Sequence, residues 1–305
     1  MTNLLLQKKT NLFALSVVLI LIALTVCASF LDYEIASAVY LGQQPSENIF
    51  GIIFSFIGII PTFVGWSFLG ASILALSKRQ IESKKLRGWL TSLAMLLFVL
   101  SFFFFCNTLM MVNDSAFSVH WAIAYPIGIL VIVFVAILGY KLSINSTNTH
   151  LIKVVLELTI ISLVTMIVIM GTKNIMNRPR FRFVLDSNNV DYFRNWWQSG
   201  KDIKQSLELA TVTDEFSSFP SGHSAYSMFA IFLFPALSCF IKKLEKCKTL
   251  LFCLGFLWWG LTAFSRLTVG AHYLSDVSIA GLVTIFSYGI VKLILKIISN
   301  KKSSV

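Results

Sequence analysis

Along most of this chain the polar residues are punctuation between long apolar runs. Residues 10–31, 48–77, 88–113, 115–140, 216–241 and 249–265 pass without an Asp, Glu, Lys or Arg. Each run is near or above the ~20 residues that a helix needs to cross the hydrocarbon core of a bilayer. Two further segments, 154–172 and 273–295, qualify once Lys153, Glu157, Lys292 and Lys296 reach from their ends toward the interface. Backbone groups in lipid must be hydrogen-bonded internally, so these runs predict helices and not strands. The pattern predicts an all-α, polytopic membrane helix bundle with about eight transmembrane helices.

Composition supports this class. The chain is 56% hydrophobic and 13% charged, with a mean hydropathy of +0.79, far more apolar than a soluble domain of its length. Positive charge then orients the bundle. Alternate connections hold Lys8 and Lys9; Lys78, Arg79, Lys84, Lys85 and Arg87; Lys141 and Lys153; Lys242, Lys243, Lys246 and Lys248; and Lys292, Lys296, Lys301 and Lys302. These are seventeen of the 25 basic residues, so this side and both termini are expected to be cytoplasmic. The other eight basic residues share the opposite side with eleven of the 14 acids. The net charge of +11 is thus a topology signal and not a nucleic-acid surface. The first apolar run is long for a cleavable signal, and an uncleaved first helix is expected. Cysteines 27, 106, 239, 247 and 253 lie in apolar spans or a cytoplasmic loop, without an exoplasmic disulfide or a zinc pattern.

The outer connections are unequal: an acidic one at about 32–47, a short one from Asp114 to His120, and a long one from about 172 to 220. Loops this long are commonly functional. In the last, Tyr192, Phe193, Trp196 and Trp197 are spaced to share one face of an interfacial helix in the headgroup layer. Three polar clusters fall on this side. Pro220, Ser221, Gly222 and His223 stand where the long loop enters the sixth span, at a helix N-terminus whose free N–H groups and dipole favour an anion. Lys173 and Arg180, with Arg178 and Arg182 nearby, stand where the fifth span ends, and Arg offers a planar fork for phosphate oxygens. Arg266, His272 and Asp276 stand at the junction of the last two spans. His272 and Asp276 are four apart, a spacing that lets the carboxylate orient the imidazole if the helix has begun by then.

Together the clusters resemble the three-part signature of the type-2 phosphatidic acid phosphatase superfamily, which includes the vanadium haloperoxidases. The family pattern is K-x6-R-P, P-S-G-H and S-R-x5-H-x3-D. Here it reads Lys173, six residues, Arg180; then Pro220-Ser221-Gly222-His223; then Ser265-Arg266, five residues, His272, three residues, Asp276. Position 181 is Phe where the family has Pro, which leaves the exit geometry of the first cluster open. A second register, Arg178-Pro179, keeps the dipeptide but shortens the gap from Lys173 to four. Arg180 is preferred, because spacing decides where the guanidinium lands.

The resemblance implies a phosphatase core at 151–300, with spans five to eight and the outer loop 172–220, behind N-terminal spans at 1–150. It implies His272 as nucleophile, Asp276 as its orienter and His223 as general acid. Lys173, Arg180, Arg266, Ser221 and the N–H of Gly222 would hold the phosphate oxygens. It implies no cofactor and no metal, and a lipid phosphate substrate on the outer face, in a bacterium undecaprenyl pyrophosphate, phosphatidylglycerophosphate or phosphatidic acid. Phosphotransfer between lipids would use the same site. A flippase, the different class, is opposed by the absence of midplane charges in spans one to four.

Overall fold

The apolar runs form helices in the computed structural model, which describes residues 2–44, 46–110, 120–207 and 214–303. Helix α1 is Thr2–Val39, broken at Leu31 (φ −128, ψ 21). There follow α2 Ile49–Ile57, α3 Ile60–Gln80, α4 Lys84–Met110, α5 Trp121–Asn145 and α6 Leu151–Met176. Then come short helices, α7 Phe181–Asp186, α8 Lys201–Ser206, α9 Gly222–Met228 and α10 Ala230–Ala236, before the long α11 Lys248–Thr268 and α12 Leu274–Ser303. No strand occurs among the described residues. Most of the second outer connection, 111–119, and part of the third, 208–213, lie outside the described residues, as do the side chains of 2–11, 298–299 and 301–303. The side chains of Lys8, Lys9, Lys301 and Lys302, and Asp114, are among these.

Among the described residues, seven helical segments are long and apolar enough to cross a membrane: Leu12–Val39, Ile49–Gln80, Lys84–Met110, Trp121–Asn145, Leu151–Asp186, Lys242–Thr268 and Leu274–Ile297. The all-α membrane bundle is therefore what the chain builds. The expected sixth span, 216–241, is the exception. It divides into α9, α10 and a 3-10 turn at Leu237–Cys239, joined through Phe229 and Leu237 in helical geometry. Pro235 stands inside α10 and has no N–H for the helix ladder.

The chain forms two compact units. One comprises 1–58, 163–228 and 258–290, the other 59–162, 229–257 and 291–305. In the second unit α3 packs on α4 and α5. Gly139 of α5 lies so close to α3 that a Cβ there would stand 2.6 Å from the Phe68 carbonyl oxygen, the kind of approach that small residues permit between membrane helices. Polar groups in this apolar setting bond internally: Trp66 Nε1 donates to Ser162 Oγ at 2.9 Å, and Ser101 Oγ to the Phe63 carbonyl at 2.7 Å. Glu157 and Lys292 were expected to reach separately toward the interface. Instead they form an ion pair, with Glu157 buried, which satisfies both charges within the helix pair.

The first unit carries all three polar clusters. Its aromatic cluster joins α1 to the outer loop: Phe181 lies 5.6 Å from the rings of both Tyr33 and Tyr40 and 6.0 Å from Tyr273, and Phe193 lies 5.4 Å from Tyr273. The expected interfacial helix over 192–197 does not form. Val190–Tyr192 is one 3-10 turn, capped by Asn189 Oδ1 accepting the Asp191 N–H, and the chain beyond it is irregular. The aromatics also do not share a face: Phe193 packs inward, Trp196 stacks on Phe219 and donates to Ser29 Oγ, and Trp197 stays exposed. Asparagine turn chemistry overrides the aromatic spacing here.

Candidate active site

The three clusters meet at the ends of α6, α9 and α12 within the first unit. At the end of α6 the chain turns through Asn177, whose φ of 45° is left-handed. Lys173, in the last turn, donates its Nζ to the Ser217 carbonyl. Its side chain runs over Gly222: a Cβ there would touch Lys173 Cε at 3.7 Å. Arg180 leaves the α6 exit in an extended conformation and is buried, its Nε donating to the Asp214 carbonyl at 2.8 Å and its second nitrogen to Asp214 Oδ1 at 2.6 Å. Arg182 pairs with Glu215 and, at 3.4 Å, with Asp214. Loss of water works against charge on Asp214, but Arg180, Arg182 and Lys173 outweigh it and hold its carboxyl below the ordinary value. Phe181, where the family carries Pro, starts α7 inside the aromatic cluster.

Ser221 precedes α9 and caps it. Its Oγ accepts the Ser224 N–H at 3.3 Å, and its own N–H donates to the Asp276 carbonyl at 3.1 Å. The first N–H groups of α9, at Gly222 and His223, have no acceptor within the helix. Arg266 sits in the last turn of α11, buried, with one guanidinium nitrogen donating to Ser55 Oγ. Its Nε is buried with no hydrogen-bond partner among the described residues, a donor that calls for an acceptor. Gly270 makes the turn that follows, at φ +64°. A Cβ there would strike the Tyr40 ring at 2.8 Å, so glycine is required both by conformation and by space.

His272 lies before α12 begins, so it does not share a helical face with Asp276 as the spacing suggested. Its Nδ1 is 2.7 Å from the Ser218 carbonyl oxygen and 3.6 Å from Asp276 Oδ2. A carbonyl only accepts, so Nδ1 carries the proton and Nε2 carries the lone pair. Asp276 is held in turn by Ser218 Oγ, by the Tyr273 N–H at 2.9 Å and by Arg178 at 2.6 Å. Loss of water around the ring, foremost, keeps the His272 imidazole at about 3. Lys173 and Arg180 act the same way, against the Asp276 carboxylate. His223 is half-buried, and loss of water followed by the charges of Arg266, His272, Arg180 and Lys173 holds it well below its ordinary value. Both rings are therefore neutral at neutral pH.

Two participants were not singled out from sequence, and a third was given another role. Ser218 precedes the PSGH stretch and supplies both the carbonyl on His272 and a hydroxyl on Asp276; serine runs before a helix are common, and nothing in the spacing marks this one. Arg178 was placed among the phosphate-binding cations. It is fully buried and paired with Asp32 and Asp276. Asp32 was assigned to the acidic first loop, but it is inside the first apolar helix, where an ionisable residue is itself a signal.

The first unit thus gathers two neutral histidines, three basic side chains and a helix-capping serine. Residues 153–301 match the PAP2 superfamily. Those residues, 149 of the chain's 305, form a domain of the type-2 phosphatidic acid phosphatase superfamily. With the membrane-spanning helices they support a membrane phosphatase of that superfamily. No curated protein and no solved structure matches the chain.

Proposed function

We propose that the protein is an integral-membrane lipid phosphatase that removes a phosphate or pyrophosphate head group through a phosphohistidine at His272. The observation that carries this is the fixed tautomer of His272. Its Nδ1 is committed to the Ser218 carbonyl, so Nε2 is the lone pair left to attack phosphorus. Lys173, Arg180, Arg266 and Ser221, with the N–H of Gly222, hold the equatorial oxygens, where negative charge gathers in the transition state. The unpartnered Nε of Arg266 is one such donor waiting for an anion. Asp214 pairs with the Arg180 fork, and a substrate phosphate displaces it. His223 protonates the leaving oxygen and then deprotonates the water that releases phosphate. Undecaprenyl pyrophosphate, phosphatidylglycerophosphate and phosphatidic acid all present the required group, and recycling of the undecaprenyl carrier is an outer-face task. Purified protein in detergent, given these three lipids, is expected to release inorganic phosphate. Label passing instead to an acceptor lipid identifies a phosphotransferase.

In this mechanism the positive field comes from Lys173, Arg180 and Arg266, and no step calls on a metal ion. Activity is expected to persist in excess EDTA and to fall with micromolar vanadate, which takes up the five-coordinate geometry of the transition state and binds tighter than substrate by about 10²-fold or more. A magnesium requirement would contradict the mechanism.

The site faces the extracytoplasmic side, on the evidence of the basic-residue split, with both termini cytoplasmic. Ser187 and Ser83 are both exposed. In a cysteine-free background, a cysteine at 187 is expected to react with an impermeant reagent on intact cells and one at 83 is not. The reverse pattern places the site in the cytoplasm.

A further inference from the structure

We propose that Asp32, in the first helix, is a positioning residue for the phosphohistidine step, because it leaves the charge of Asp276 available to the His272 ring. The inference rests on His272 being the nucleophile. Arg178 is fully buried and its guanidinium is divided between two carboxylates, Asp276 Oδ1 at 2.6 Å and Asp32 Oδ2 at 2.8 Å. All three side chains have 0% exposure. Arg178 Nε donates to the Arg194 carbonyl at 2.8 Å, and the guanidinium lies 4.1 Å over the Tyr273 ring. With its donors committed inside the protein, Arg178 serves this network and not a substrate phosphate.

Ser275 closes the network. Its N–H donates to Asp32 Oδ1 at 3.0 Å, and its hydroxyl accepts from Arg178 at 2.8 Å while donating to Asp32 Oδ2. Ser275 and Arg178 thus bring donors to both Asp32 oxygens, which is the environment of a carboxylate.

The chemistry shows why a second carboxylate matters. When the Nε2 lone pair forms the bond to phosphorus, the bond to the leaving oxygen breaks, and that oxygen takes its electron pair and the His223 proton. The Nδ1 proton stays, because the Ser218 carbonyl beside it is not a base and Asp276 Oδ2 is 3.6 Å away. The ring is therefore cationic until water attacks phosphorus, gives its proton to His223 and returns the N–P electron pair to the ring. Arg178 alone would cancel Asp276, and the cationic ring would face a neutral pair. Asp32 cancels Arg178, so the three groups sum to one negative charge behind the ring. In a buried site this charge is weakly screened.

The test separates charge from packing. Asp32→Asn keeps the shape and removes the charge; it is expected to lower kcat about thirtyfold and to change KM by less than about threefold. In Asp32→Asn with Arg178→Gln the net charge of the network is again minus one, and kcat is expected to recover by about tenfold over the single variant. Ser275→Ala leaves every charge in place and is expected to cost less than about threefold. Folding is read independently by the thermal shift with vanadate in detergent, and Asp32→Ser, smaller and also neutral, replaces Asp32→Asn if that variant does not accumulate. Wild-type kcat in the folded neutral variant overturns the proposal. So does a double variant no better than the single one, or a Ser275→Ala loss as large as that of Asp32→Asn. A wild-type protein that releases no phosphate from any lipid phosphate defeats the phosphatase reading instead, so the two failures are distinguishable.

Discussion

His272→Ala is expected to reduce phosphate release by about 10⁵-fold or more, the scale seen when the nucleophile of a covalent mechanism is removed. The protein should remain folded, because the buried supports of the ring belong to other side chains. Ser218, Tyr273 and Arg178 still hold Asp276 when the imidazole is gone. The cations also remain, so lipid phosphate should still bind, and kcat should fall far more than affinity. With labelled substrate and an alkaline quench, which preserves the P–N bond, wild type should carry label on His272 and the variant none. Label on another residue, or turnover in the variant within about tenfold of wild type, excludes His272 as nucleophile.

The neutrality of His272 bears on pH. Because burial and the neighbouring cations keep this imidazole at about 3, the attacking form is present throughout the range from pH 5 to 8. Acid inactivation that begins near neutrality must then come from another group.

What the sequence disclosed and what it withheld follow from the range over which each signal acts. Helix existence depends on run length, and α1, α3, α4, α5, α6, α11 and α12 all lie where the apolar runs predict them. The expected sixth span divides at 229, and Pro235 further along removes an N–H from the helix ladder; run length registers neither. Residues 192–197 have the spacing of a helical face, yet Asn189 caps a 3-10 turn before them, and that local bond decides the backbone. That Lys173, Arg180, Ser221, His223, Arg266 and His272 gather in one unit was legible from the spacing of three short motifs. The supports behind them were not. Ser218 acts through its carbonyl, which every residue has. Arg178 and Asp32 are 146 positions apart, and their pairing follows from the packing of α1 against the outer loop and α12. The acid in an apolar helix was the available clue. Read as the first residue of the acidic outer loop, Asp32 looked ordinary; read as the carboxylate just past the break at Leu31, it asks for a partner.

Of the two histidines, His223 gives the sharper test of mechanism, because its loss should depend on the substrate. A pyrophosphate departs as a phosphate anion that is fairly stable unprotonated, whereas an alkoxide leaving a monoester needs a proton. General acid catalysis is worth about 10²–10⁴-fold, so His223→Ala should lower monoester hydrolysis by about that factor and pyrophosphate hydrolysis by less. The proton's source adds a second signature. Loss of water and the charges of Arg266, His272, Arg180 and Lys173 hold His223 well below its ordinary value. Free enzyme at neutral pH therefore lacks the proton it must donate, and the proton arrives with a substrate monoanion whose charge also offsets the surrounding cations. For a monoester, kcat/KM should fall as pH rises past the second ionisation of the phosphate, near about 6. In His223→Ala that alkaline limb should flatten, since the remaining activity needs no donated proton. The variant should also accumulate phosphoenzyme, because the same imidazole assists the attacking water. Equal losses for both substrate classes, under conditions where chemistry limits the rate, would falsify the assignment of His223 as the acid and leave it a phosphate-binding residue.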